Sequence, residues 1–229
     1  MSGTILLAGG SEFNGRMAHA DQRAIHLAGG PEAPLVILPT AAALDHNDRR
    51  AGQNGLRWFS HLGARRVSVL PLIDGASAND PAICDAIRTA RFIYLLGGFP
   101  GYLGETLVGS ASAAALRDAY QAGAVVGGSS AGAMVLCERF EDPETSRMAP
   151  GLNFVPGACV VPHHNTFGKG WAARLAARLT DCVLIGIDEE TGALEDAPDG
   201  RWTVYGRGAV TLYKGGHFRR YPPGETFSL

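Results

Sequence analysis

The sequence carries no excess of charge of either sign. Twenty Lys and Arg against 22 Asp and Glu leave a net charge of −2, and the two signs are interspersed. Basic blocks, arginine-rich stretches and acidic tails are missing, so no nucleic acid partner is expected. No apolar run approaches the ~20 residues of a membrane span. The opening MSGTILLAGGSEF has neither a basic n-region nor an apolar run of secretory length, and a soluble cytoplasmic protein is expected. The four cysteines, Cys84, Cys137, Cys159 and Cys182, are far apart and form no C-x-x-C. Three of them lie in apolar runs, so buried thiols in a reducing compartment are the expectation. No set of His, Cys, Asp and Glu has zinc-site spacing, and no metal or other cofactor is expected. Internal repeats and low-complexity linkers are also lacking. At 229 residues the chain can bury a full core, and 1–229 is read as one domain.

Short apolar runs alternate with helix-type segments. The runs ILLA, LVIL, FIYLL, AVVG and VLIGI are continuously apolar, as in strands covered on both faces. Their alternation with helices predicts an α/β fold, a doubly wound, mostly parallel sheet with helices on both faces. Strands are expected at 4–8, 35–39, 66–70, 91–96, 158–161 and 183–187. Helices are expected at 16–27, 49–62, 80–89 with Asn79 or Asp80 as N-cap, 103–122 as one long helix, and 171–179. The charged, proline-containing segment 138–156 reads as a surface loop. From 193 the pattern alternates polar and apolar with Pro198-Asp199-Gly200 and Gly215-Gly216 at turns. It predicts β-hairpins over 193–229 that extend the main sheet in antiparallel fashion.

In a wound sheet the site lies beyond the carboxyl ends of the strands. The run AVVGGSSAGA, 124–133, leads there from strand to helix. Gly128-x-Ser130-x-Gly132 fits a nucleophile elbow, a tight turn that lifts a serine hydroxyl off the backbone. The N–H of Ala131 and a second from Gly97-Gly98, most directly Gly98, would form an oxyanion hole. A serine needs a base, and the base an orienting acid. His164 in VVPHHN is the leading base. If the backbone stays extended past the strand, His164 faces the cleft and His163 faces away. The acid comes from LIGIDEE, as Asp188 or Glu189. His217 is a rival base, with Asp181 or Asp188 as its acid. Gly10-x4-Gly15-Arg16-Met17 has the outline of a phosphate loop but lacks its Lys-Ser/Thr ending. Cys137, helix-internal in pattern, is a poor nucleophile.

Together GGSSAGA, the upstream LLGG strand end, a downstream histidine and GIDEETGAL resemble the S51 serine peptidases, over roughly residues 4–196. That family includes dipeptidase E and cyanophycinase, and its fold is similar to class I glutamine amidotransferases. The resemblance implies Ser130 as nucleophile, His164 as base and Glu189 as acid. In the dipeptidase E branch the acid lies between serine and histidine, which leaves Asp142 and Glu144 open as alternatives. Cyanophycinases carry a glutamine after the Gly-Gly, where this chain has Phe99-Pro100. They also carry an aspartate and several arginines around the histidine, where this chain has Pro162 and, as cations, only Lys169 and Arg174. The expectation is therefore a serine hydrolase cleaving short peptides through a Ser-His-Glu triad, without cyanophycin cleavage. Phe99, Asn165 and Lys169 are its candidate substrate contacts. A non-catalytic peptide- or small-molecule-binding protein on the same scaffold and an esterase are the alternatives, and a homodimer stays open.

Overall fold

A computed structural model describes residues 3–196 and 200–229; Pro198 and Asp199 of the expected turn lie outside them. In chain order the elements are β1 (Thr4–Ala8), α1 (Ala18–Leu27), β2 (Leu35–Leu38), α2 (Asp48–His61), β3 (Val67–Val69), α3 (Pro81–Thr89) and β4 (Phe92–Leu95). There follow α4 (Pro100–Leu107), α5 (Ala111–Gln121), β5 (Val125–Ser129), α6 (Ala131–Leu136), β6 (Arg139–Asp142) and β7 (Arg147–Pro150). The remainder is β8 (Ala158–Val161), α7 (Gly168–Arg178), β9 (Val183–Ile187), β10 (Thr191–Leu194), β11 (Trp202–Gly206), β12 (Val210–Lys214), β13 (His217–Tyr221) and β14 (Thr226–Phe227).

The main sheet runs β14-β11-β10-β1-β5-β4-β2-β3. The block β1-β5-β4-β2-β3 is parallel, and β10, β11 and β14 continue it in antiparallel sense. The apolar runs fill both faces by simple alternation. Ile5, Leu7, Val36, Leu38, Ile93 and Leu95 enter one core cluster, whereas Leu6, Ala8, Leu35, Ile37, Phe92 and Tyr94 enter the opposite one. Side chains two apart share a face of a strand, so an unbroken apolar run supplies two cores at once.

Four expectations are corrected. First, 158–161 and 183–187 do not join the main sheet. They form a second, four-stranded sheet, β13-β12-β9-β8, because β10 pairs with β1 through Leu6↔Leu194 and occupies the place beside β1. Second, the C-terminal strands are shared between the two sheets, β10, β11 and β14 in the large one and the β12-β13 hairpin in the small one. Third, 103–122 is two helices, not one; Gly109 has φ 82°, and Ser110 caps α5 by accepting from Ala113 N–H at 3.1 Å, which restarts the helix. Fourth, 138–156 contains the β6-β7 hairpin, with Phe140 and Glu141 buried. Asp80 is the N-cap of α3, accepting from the N–H groups of Ala82 and Ile83.

Candidate active site

Ser130 sits between β5 and α6 with φ 50° and ψ −110°, a conformation that a serine adopts only under constraint. The turn is closed from both sides. Ser130 N–H donates to Ala8 O on β1 at 3.0 Å, and Ser130 O accepts from Met134 N–H at 3.0 Å. The flanking glycines are required by close backbone approach. A Cβ on Gly128 would lie 2.5 Å from the Gly132 carbonyl carbon, and one on Gly132 would lie 2.3 Å from Leu95 O. This geometry is what the GGSSAGA spacing anticipated.

The imidazole that meets the serine is that of His163. Its Nε2 lies 3.0 Å from Ser130 Oγ, and its Nδ1 lies 2.8 Å from Glu189 Oε1. His164, expected in that place, turns inward instead. Its Nδ1 is 3.2 Å from Asp188 Oδ1 and its Nε2 is 2.8 Å from Tyr213 Oη, and the residue is buried. The reason is a single backbone angle. Strand β8 ends at Val161, and His163 has φ 51°. The chain leaves the extended conformation there, so the side-chain alternation that would have sent His163 away no longer holds. The turn is held by His163 N–H donating to Gly9 O at 2.7 Å and by His163 O accepting from Gly168 N–H at 2.9 Å. Phe167, itself exposed, stacks on the His163 ring with centroids 4.7 Å apart.

Glu189 follows β9 and is anchored by its backbone, its N–H donating to Asn165 Oδ1 at 2.8 Å. Asn165, expected against substrate, thus holds the backbone of Glu189. Asp188 faces His164 and accepts from Ala209 N–H at 2.8 Å. These contacts hold its carboxyl below the usual value against the opposing effect of burial, the largest single influence on it. The alternatives Asp142 and Glu144 lie on the β6-β7 hairpin. Asp142 caps its turn, accepting from Thr145 Oγ1 at 2.8 Å, and Glu144 is exposed. Asp181 pairs with Arg139 at 2.9 Å, and His217 is exposed on β13. Phe99 is half-buried, with its N–H on Ala41 O at 2.8 Å, and Lys169 is exposed at the start of α7. Gly98 has φ 141°, and Ala131 opens α6, where backbone N–H groups have no partner within the helix. All four cysteines are free and buried, and burial pushes the Cys137 thiol well above its usual range. Among the described residues no group of three or more His, Cys, Asp and Glu could hold a metal ion, and no helix is long and apolar enough to cross a membrane.

Sequence reasoning passed over Tyr213, whose alternating strand pattern gave no hint that its hydroxyl reaches His164. It also passed over the acidic residues beside the elbow. Ser129 Oγ donates to Glu12 Oε2 at 2.7 Å. Asp21 is fully buried and accepts from Trp58 Nε1 at 2.7 Å. Burial pushes the Asp21 carboxyl up from 3.8 to about 7; the Trp58 hydrogen bond opposes this and the Glu12 charge adds to it. The unfolded chain gives up this proton near pH 4 and the folded chain only near pH 7. The contribution to stability is therefore complete below pH 4, falls through the interval between, and is flat above it. Asp21→Asn should consequently gain about 3 kcal/mol relative to the parent between pH 5 and pH 8. Denaturant unfolding at both pH values reads this directly, and a difference independent of pH would show that Asp21 ionises as freely as in the unfolded chain.

Comparison with known proteins places the chain among peptidases. The profile of peptidase family S51 matches residues 5–195. A cyanophycinase of Geminocystis herdmanii is 30% identical over 226 residues, covering 93% of this chain and 80% of that protein. One of Synechococcus elongatus is 30% identical over 224 residues, covering 92% and 67%. Among solved structures, a peptidase from an acI-B1 Actinobacterium superposes with a TM-score of 0.89 at 29% identity, over 100% of this chain and 98% of its own. A putative peptidase E protein from Listeria monocytogenes EGD-e gives 0.61 at 15% identity over 97% and 99%, a likeness of fold. With a family match across most of its length and a serine presented on a strained elbow, this chain belongs to peptidase family S51 and is a serine-type peptidase.

Proposed function

We propose that the chain hydrolyses short peptides, with Ser130 as nucleophile, His163 as general base and Glu189 as the acid that orients it. The observation that carries this reading is the unbroken line of contacts from Ser130 Oγ to His163 Nε2, 3.0 Å, and from His163 Nδ1 to Glu189 Oε1, 2.8 Å. Glu189 accepts a hydrogen bond from Nδ1–H and so keeps that proton on Nδ1, which leaves Nε2 free to take the serine proton as Oγ attacks the amide carbonyl. The imidazolium so formed faces the Glu189 carboxylate. The Ala131 and Gly98 N–H groups hold the oxyanion of the tetrahedral intermediate. Collapse breaks the C–N bond, and Nε2 delivers its proton to the departing amine. A water then attacks the acyl-serine, again giving its proton to Nε2, and the carboxylic acid leaves as the proton returns to Ser130. No step calls for a cofactor.

Cyanophycin is not the expected substrate. Arg174 is committed to the buried Glu141 carboxylate at 2.9 and 2.7 Å, alongside Arg178 at 3.1 Å and the Trp171 indole N–H. Pro162 and Pro100 are buried and offer no charge. Four free, buried thiols suit a reducing compartment such as the cytoplasm. Treatment with a fluorophosphonate and mapping by mass spectrometry tests the reading. The label is expected on Ser130; a protein left unlabelled, or labelled elsewhere, would remove Ser130 as nucleophile.

A further inference from the structure

The segment after β1 folds directly onto the site and contains a charge that the mechanism above does not use. Gly9 O and Gly10 O accept from the N–H groups of His163, at 2.7 Å, and Glu190, at 3.0 Å. A Cβ on Gly10 would fall 2.2 Å from the His163 ring. Two non-glycine residues here, Ser11 with φ 54° and Phe13 with φ 62°, are left-handed. Such strain persists only where the surroundings fix it. Glu12 lies between them. One of its carboxylate oxygens is fixed by Ser129 Oγ at 2.7 Å. The other lies beside Gly97. A Cβ built on Gly97 would be 3.4 Å from Glu12 Oε1 and 3.3 Å from Ser130 Cβ, so carboxylate and serine flank the same glycine.

Glu12 is half-buried and has no ion-pair partner among the described residues. Two fully buried polar side chains lie near it. Asp21, which feels the Glu12 charge, and Tyr94 are both fully buried, and Asp21 Oδ1 and Tyr94 Oη have no hydrogen-bond partner among the described residues. Glu12 also lines a cavity of about 430 Å³ with Phe13, Trp58, Asn54, Arg57 and His61. The Phe13 and Trp58 rings stand 6.4 Å apart by centroid, and the exposed Arg57 is turned onto Asn54 Oδ1 at 2.6 Å. A carboxylate with aromatic neighbours suits a guanidinium or ammonium group.

We propose that Glu12 is a specificity-determining residue, accepting a positively charged group of the substrate close to the scissile bond. This rests on Ser130 being the nucleophile. The charge can come from a basic side chain or from a free chain terminus, which share the chemistry and are separable by experiment. Calorimetry on the full chain carrying Ser130→Ala reads binding without turnover. It uses Gly-Arg-Gly and its citrulline analogue, each with a free and an acetylated N-terminus. The charged member of at least one pair is expected to bind roughly tenfold or more tightly than its neutral partner. The Arg/citrulline ratio reports a side chain, and the free/acetylated ratio a terminus. Adding Glu12→Gln should bring that ratio close to one, and Glu12→Asp should lower it without abolishing it, which covers the case of a poorly folded Gln variant. Ratios near one in the parent, ratios that survive Glu12→Gln, or no measurable binding of any charged peptide at millimolar concentration would overturn the proposal. Because no nucleophile takes part, failure here is distinct from failure of Ser130 to take the fluorophosphonate label.

Discussion

His163→Ala should lower kcat/KM for a hydrolysed short peptide by about 10⁴-fold or more, and His164→Ala by no more than about tenfold. The two residues are neighbours of the same type, yet their rings meet different partners. His163 has Ser130 Oγ on one nitrogen and Glu189 on the other. Its removal leaves the serine without a base, and what catalysis persists comes from the oxyanion hole and binding alone. His164 is enclosed by Asp188 and Tyr213. Its removal leaves a buried carboxylate facing a cavity with one fewer partner, a cost in stability of about 2–4 kcal/mol. Steady-state kinetics and denaturant unfolding on the same two variants separate these effects. The opposite order, with His164→Ala inactive and His163→Ala merely unstable, would return the base to the position that strand alternation predicts.

The comparison of those two histidines marks where sequence alone reaches its limit. What could be read was what repeats along the chain or is imposed by sterics. Continuous apolar runs announced two-sided burial, and GGSSAGA announced the elbow, since strand β5 and helix α6 cannot approach so closely with larger side chains at 128 and 132. The capping pair Asn79-Asp80 announced its helix, and Asp80 is the residue that caps it. What could not be read depended on one torsion or on pairing between distant segments. No local pattern reveals that His163 has φ 51°, and that single departure places 163, not 164, beside Ser130. Buried strands of the same composition also serve either sheet equally well. Only the pairing of β10 with β1 decides that β8 and β9 stand apart, and this happens through residues 184 or more positions distant in the chain. Glu12 was hidden for a related reason. Its significance comes from Ser129 and Gly97 beside it in space, while in the sequence it is one acid in a loop.

The pairing of the acids leads to the second large expected effect. Glu189→Gln should reduce kcat by about 10³–10⁴-fold, with a much smaller change in KM. A carboxylate opposite Nδ1 can only accept, so it fixes the proton there and leaves Nε2 as an acceptor for the Ser130 hydroxyl. A glutamine amide can present its N–H₂ group instead, which stabilises the tautomer with the proton on Nε2, and that tautomer cannot take the serine proton. The substitution keeps side-chain length and leaves the Glu189 N–H bond to Asn165 in place, so the fold and the position of the turn should survive. The same measurement decides between the acids that sequence reasoning left open. Asp142→Asn and Glu144→Gln, on a hairpin where Asp142 holds Thr145, should change kcat by less than about threefold. Asp188→Asn should act chiefly on stability, through its bonds to His164 and Ala209 N–H. A loss of activity concentrated at Asp142 or Asp188, with Glu189→Gln close to the parent, would move the acid away from the His163 side of the turn. It would also require the imidazole to change partners during the reaction.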